Sequence, residues 1–336
     1  MASSQVIVNA YGFLILGIFL IIFNLPVLLV VVCSKKLRSQ YGVLLLSLVN
    51  GFVTGIVAAG YGTFRLVLFD QGMEDRTVSV SACFYNPLNF FLLWVFPLNG
   101  LGLLINSIDR LFVISFPLSY FNYNNKVMVV LNALALLINA GIVFLAIYVT
   151  MRDTPAGKPV NIFCSSNDLY SVELFISLAA FRTLFAFLAV FIMFIVLIIF
   201  MKQNHVRHKQ AFNMDNTIRR FKARQWNYTK TMMISCIATT LLVIVPSIVT
   251  IVARAGFLEV SGHITTWTRF IGFFNSFNIC FLLIYRQQDI RWRLYRIVNN
   301  VTHRHIFNVT EIQSSSGEHS KGAVKVTVSH ISHRKT

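Results

Sequence analysis

The sequence predicts an all-α fold, a bundle of seven membrane-spanning helices followed by a short amphipathic interfacial helix, and three observations carry that prediction. Of 336 residues, 56% are hydrophobic and only 12% charged, against about 25% charged in an ordinary soluble domain. The apolar residues fall in uninterrupted runs as long as the roughly 20 residues a helix needs to cross the hydrocarbon core. Between those runs, Lys and Arg gather on alternate connections. This composition excludes a soluble enzyme and a disordered chain.

Residues 6–33, 41–64, 77–108, 127–151 and 231–253 contain no Asp, Glu, Lys or Arg. Two further runs carry one arginine each: 174–201 holds Arg182, and 264–285 holds Arg269 near its start. None shows the alternating ten-residue pattern of a barrel strand, so all seven are expected to be helices. After Tyr285, the residues Ile290, Leu294, Ile297 and Val298 share one helical face with arginines elsewhere, the pattern of a basic helix lying in the interface. The chain thus divides into a short extracellular N-terminus (1–10), a seven-helix domain (11–298) and a polar tail (299–336) expected to be disordered and cytoplasmic.

An odd number of spans puts the two ends on opposite sides of the membrane. With the N-terminus outside, residues 34–40, 109–126, 202–230 and 286–336 are cytosolic and hold 22 of the 29 Lys and Arg. The positive-inside bias therefore orients the chain in this way, as an integral membrane protein. The basic loops are accounted for by anionic inner-leaflet lipid and cytosolic protein partners, not by nucleic acid. Residues 1–11 lack the basic region of a cleavable signal, so the first span is expected to act as an uncleaved anchor. Sequons beginning at Asn227, Asn300 and Asn308 fall on the cytosolic side and should carry no glycan.

Among five cysteines, Cys83 and Cys164 lie on the oxidising side, where a disulfide can persist and would pin the second outer loop over the helix mouth; the alternative is two buried thiols. Cys33, Cys236 and Cys280 read as small apolar fillers. At the inner end of the third run the sequence is Asp109-Arg110-Leu111-Phe112-Val113-Ile114-Ser115-Phe116-Pro117-Leu118-Ser119-Tyr120. This stretch resembles the D-R-Y-x-x-x-x-x-P-L-x-Y motif of rhodopsin-like G-protein-coupled receptors, with Leu111 in place of the first Tyr. Asn24 resembles the asparagine of the family's first span. Asn50 stands where the second has Asp, Pro246 resembles the proline of the sixth, and Asn278 with Tyr285 is a reduced form of N-P-x-x-Y.

With its short N-terminus, degenerate seventh span and 31 Phe, the chain is similar to the nematode serpentine chemoreceptors, a divergent branch of that superfamily. The resemblance implies a chemosensory, odorant-type receptor of sensory cilia that binds a small molecule in an outer helical pocket and activates a heterotrimeric G protein. It assigns coupling to Asp109, Arg110, Pro117, Leu118 and Tyr120, with Asp109 holding Arg110 at rest. It also makes residues 286–298 the family's eighth helix. An arrestin and a receptor kinase are candidate partners of Ser314–Ser316, which is equally read as an inert polar stretch.

Pro246 kinks the sixth span and serves either as a hinge or as a static bend. The basic collar of residues 202–230 meets a G protein or acidic lipid. His205 and His208 are spaced for a metal, but no carboxylate or thiol completes a site, so no metal and no cofactor are expected.

Arg182 lies roughly 12 Å down its helix from Leu174, and a buried cation needs a partner. The candidates are an outer-loop acid (Asp70, Glu74, Asp75, Asp168 or Glu259), an aromatic face, or an anionic group on the ligand. Arg65 and Arg269 lie near the outer ends of their spans, and three arginines round one vestibule would attract acids. Asn89, Phe90 and Trp94 on the third span, with Trp267 and Phe270 on the seventh, are candidate pocket walls; the alternative for each is ordinary core or lipid contact.

No protease, esterase or phosphate-loop motif is present, which argues against an enzyme. A light receptor would need a seventh-span Lys, and none occurs between Thr231 and Ser320. A seven-span ligand-gated channel or a carrier remains the alternative to a receptor, although no repeat of the kind carriers show is visible.

Overall fold

An amide inside hydrocarbon has no water to bond, so each apolar run closes its hydrogen bonds within itself as a helix. The computed structural model describes residues 2–73, 76–153, 159–164, 169–208, 233–234, 237–238, 240–254, 262–286 and 288–302. The first five spans are α1 (Ala2–Cys33), α2 (Lys35–Asp70), α4 (Pro87–Ser115), α5 (Pro117–Asp153) and α6 (Val172–His208). All five are long and apolar enough to cross a membrane. The sixth is described as a π-helical turn, Thr240–Ile244, running into α7 (Val245–Arg254), and the seventh is α8 (Gly262–Arg286). The interfacial helix α9 (Gln288–Thr302) follows. It buries Ile290 and Leu294 against the bundle while Arg293 and Arg296 stay exposed, as an amphipathic helix should. It also runs past the expected boundary at Val298. Residues 303–336 and most of the basic collar lie outside the described residues.

The uncharged stretch expected to form the third span from residue 77 is not one helix. Thr77–Ser79 is a strand, β1, paired antiparallel with β2 (Pro159–Asn161) of the second outer loop. A short helix α3 (Val80–Tyr85) then ends at Asn86, whose side-chain oxygen accepts from Leu88 N at 3.0 Å, and Pro87 opens α4. Proline lacks the N–H to continue a helix and pushes the preceding residue out of the α region, whereas at a first turn it is favourable. At the inner end, α4 continues to Ser115 instead of stopping at Ile108, so Asp109 and Arg110 lie within a helix. Only Phe116, at φ −132° and ψ 60°, separates it from α5.

Helices α1 and α2 pack with their backbones close because small residues line the seam: a Cβ at Gly17 would stand 2.8 Å from the Gly55 carbonyl. The core has two storeys. The outer one is aromatic, with Phe13 edge-to-face against Tyr61, Phe270 and Phe273 at 5.3–5.6 Å. The inner one is aliphatic, built on residues such as Val31, Leu44, Leu48, Leu103 and Leu283. Large apolar side chains on the outside, among them Ile15, Ile22, Phe144 and Phe187, form the lipid-facing surface.

Candidate functional site

The second outer loop forms the roof of the bundle. Cys83 and Cys164 are joined in a disulfide with their Cα atoms 5.5 Å apart, and β1–β2 continues the attachment. From below, the Tyr61 hydroxyl donates to the Cys164 carbonyl at 2.8 Å, and Arg65 donates to Tyr61 Oη at 2.9 Å and to the Phe163 carbonyl at 3.3 Å. The Arg65 guanidinium also stacks 4.3 Å from the centre of the Tyr61 ring. Of the three arginines expected round one vestibule, Arg65 and Arg182 have described side chains. Arg65 is engaged in fastening the roof, and the Arg269 side chain lies outside the described residues.

Beneath the roof lies a cavity enclosing about 860 Å³ of empty space, the open mouth included. α4 supplies Asn89, Leu92, Leu93 and Phe96, and α6 supplies Phe175, Leu178 and Arg182. Ser247 and Thr250 come from the sixth span, Thr268 from the seventh, and Leu169 and Tyr170 from the roof. Burial, and then the neighbouring Tyr61, push the Tyr170 phenol up, so it remains a neutral hydrogen-bonding group in the wall. Asn89 is fixed by donating to the Cys83 carbonyl at 2.9 Å, across the break between α3 and α4.

Among the described lining residues Arg182 is the single charged one. Its guanidinium carbon lies 4.9 Å from the Phe96 ring centre, and one terminal nitrogen donates to Ser247 Oγ at 2.6 Å. Its Nε makes no hydrogen bond, and among the described residues no carboxylate pairs with it. Of the candidate acids, Glu74, Asp75, Asp168 and Glu259 lie outside the described residues. Gly100 lets α6 approach α4 here, since a Cβ at that position would stand 2.8 Å from the Arg182 carbonyl. The aromatic face anticipated for Arg182 is thus Phe96, a residue that sequence reasoning passed over.

The other proposed walls stand elsewhere. Phe90 is exposed beside Phe91, Trp267 is exposed with its ring 6.1 Å from that of Phe270, and Phe270 is buried against Phe13. Trp94 packs between Leu93 and α5 residues including Ile147. None of the four is among the described lining residues, because helix periodicity turns them toward lipid or toward neighbouring helices.

Just below the cavity, Pro246 is buried directly after the π-turn. A wide turn there accommodates the backbone that proline leaves unpaired. The Thr250 hydroxyl has two acceptors for its one proton, the Pro246 carbonyl at 2.8 Å and Thr268 Oγ1 at 3.0 Å. Farther in, Asn50 donates to Asn99 Oδ1 at 3.1 Å and to the Val95 carbonyl at 3.3 Å, a neutral junction where the receptor motif has a carboxylate.

At the inner end of α4, Asp109 is 1% and Arg110 9% exposed, and the two form an ion pair. Tyr120, one turn into α5, donates to the other Asp109 oxygen at 2.6 Å. Pro117 starts that turn, and the Tyr120 amide bonds the Phe116 carbonyl at 2.9 Å. The side chains of Pro117 and Leu118 lie outside the described residues.

A seven-helix bundle with an outer cavity and an inner Asp-Arg-Tyr corner has a counterpart among known families: the family model of serpentine type 7TM GPCR chemoreceptors, Srsx, matches residues 15–281. The chain belongs to the Srsx chemoreceptor family. No curated protein matches it. Srsx membership makes it an integral membrane protein of a receptor family, not of an enzyme family.

In this Srsx chain, sequence reasoning missed Phe96, Ser247, Thr250 and Thr268. A signal existed for two of them. Ser247 and Thr250 lie three apart beside the kinked Pro246 in an otherwise apolar run, and polar groups at that spacing share a helix face.

Proposed function

We propose that this Srsx chain is a plasma-membrane chemoreceptor, with its N-terminus outside, that binds a small molecule in the cavity under the roof. It then activates a heterotrimeric G protein through the corner formed by Asp109, Arg110 and Tyr120. The observation that carries this reading is α4 itself. One uninterrupted helix contributes Asn89, Leu92 and Phe96 to the cavity and Asp109 and Arg110 to the corner. The distance from Phe96 to Arg110 is about 21 Å along such a helix. Displacement at one end is therefore passed to the other along a single helix, across the point where Pro97 leaves the Leu93 carbonyl without its ladder bond. The sixth span is the moving part on this reading, because it joins the cavity through Ser247 and Thr250 and carries the π-turn and Pro246 next to them. Roles of Leu118 at the G-protein surface, and of an arrestin and a kinase at Ser314–Ser316, belong to the same reading.

The test is a messenger assay in cells expressing the chain with a promiscuous Gα subunit, challenged with a panel of small volatile and water-soluble compounds. An active compound should lose its response when Arg110→Ala is introduced while surface expression holds. A response unchanged by Arg110→Ala would sink the coupling role, and ligand-evoked current without any G protein would favour the channel alternative.

A further inference from the structure

We propose that the Srsx cavity is built for a small apolar molecule bearing one carboxylate, held by Arg182. The proposal rests on the reading of the cavity as the ligand site and adds the chemical class of the ligand.

Four observations converge. Arg182 is the single charged residue among the described lining residues, in a wall otherwise made largely of Leu, Phe and Ala side chains. Among the described residues it is met by neutral groups, the Phe96 ring and the Ser247 hydroxyl, and no acid compensates its charge. Its Nε–H has no acceptor, and a buried donor without one carries the full cost of desolvation. Gly272 opposite offers no side chain, and a Cβ there would lie 3.7–3.8 Å from both terminal nitrogens, so the seventh span leaves room around the guanidinium.

A guanidinium presents Nε and a terminal nitrogen as a planar fork that matches the two oxygens of a carboxylate. A phosphate dianion fits less well, since a single cation would leave its second charge unpaired in an apolar chamber. An uncharged odorant can offer Nε an oxygen acceptor but leaves the cation without a counter-charge. The remaining polar groups, Asn89, Tyr170, Thr250 and Thr268, are neutral and can orient a hydroxyl or carbonyl elsewhere on the ligand. A carboxylate on Arg182 also competes with Ser247 for the same cation. Binding is thereby linked to the sixth span at the residue next to Pro246.

The test uses the purified full-length receptor and measures its melting temperature with aliphatic and aromatic carboxylic acids, their primary amides and their phosphate monoesters. At least one acid should raise the melting temperature in a dose-dependent way, with its amide and its phosphate binding at least about tenfold more weakly, the loss expected for a charge-assisted pair. Arg182→Gln should remove the preference of acid over amide, and Arg182→Lys should restore part of it. Equal binding of acids and amides, acid binding indifferent to Arg182→Gln, or silence from every acid overturns the proposal. Amides that bind without acid preference, and lose binding when Leu178→Trp fills the cavity, would leave the cavity reading standing. Acids that bind yet evoke no messenger would sink the coupling reading while leaving the carboxylate assignment intact.

Discussion

Two guanidiniums lie inside the bundle, one near its inner end and one in its outer half, and they are treated differently. Arg110, at the inner end, carries its counter-charge in the preceding residue, and Tyr120 holds the far oxygen of that carboxylate. Arg182, in the outer half, is given a ring face and a hydroxyl. The inner pair is closed in charge, and Tyr120 secures the second carboxylate oxygen. Among the described residues the outer cation has no counter-charge, and a cavity adjoins it. On the carboxylate proposal, the difference separates a group whose partner is part of the chain from one whose partner arrives from outside.

Substitutions break or sharpen that contrast in order of size. Asp109→Ala strands Arg110 in a buried position and should cost about 3–5 kcal/mol, the usual penalty for unpairing a buried ion pair. The measurement is the melting temperature of the ligand-free receptor, accompanied by raised basal messenger output. Tyr120→Phe removes one charge-assisted hydrogen bond and should cost about 1.5–3 kcal/mol by the same measurement. Ser247→Ala removes a single bond to Arg182 and should cost about 1.5 kcal/mol or less if the guanidinium relaxes onto Phe96. Arg182→Met, which replaces an uncompensated cation by an apolar chain of similar length, should leave the ligand-free receptor within about 1 kcal/mol of the parent or make it more stable. A large loss of stability from Arg182→Met would mean that both arginines are structural, and the contrast would collapse.

The sequence carried most of what is local or governed by the membrane. Span number follows from length and charge alone. The corner at Asp109, Arg110 and Tyr120 is a single contiguous motif, and the Cys83–Cys164 bridge joins the two cysteines that the charge pattern assigns to the oxidising side. The limits of the third span were misplaced because absence of charge was given more weight than the Asn86-Pro87 pair, which marks the true helix start. The composition of the cavity was harder to see. Phe96, Ser247 and Thr268 come from three helices and meet only through packing, and Gly100, which lets Arg182 reach its place, has no chemistry of its own to draw attention. Phe90 and Trp267 were attractive as aromatics near the outer edge, yet side chains of that kind serve equally well against lipid.

The junction between α4 and α5 has a further consequence. With Phe116 the one residue between Ser115 and Pro117, and Tyr120 reaching back to Asp109, the two helices share a bracket with no slack. A push that rotates the lower end of α4 drags the start of α5 with it. The inner face then presents a stiff elbow, and on the proposed coupling reading its angle is the quantity a docking protein would gauge.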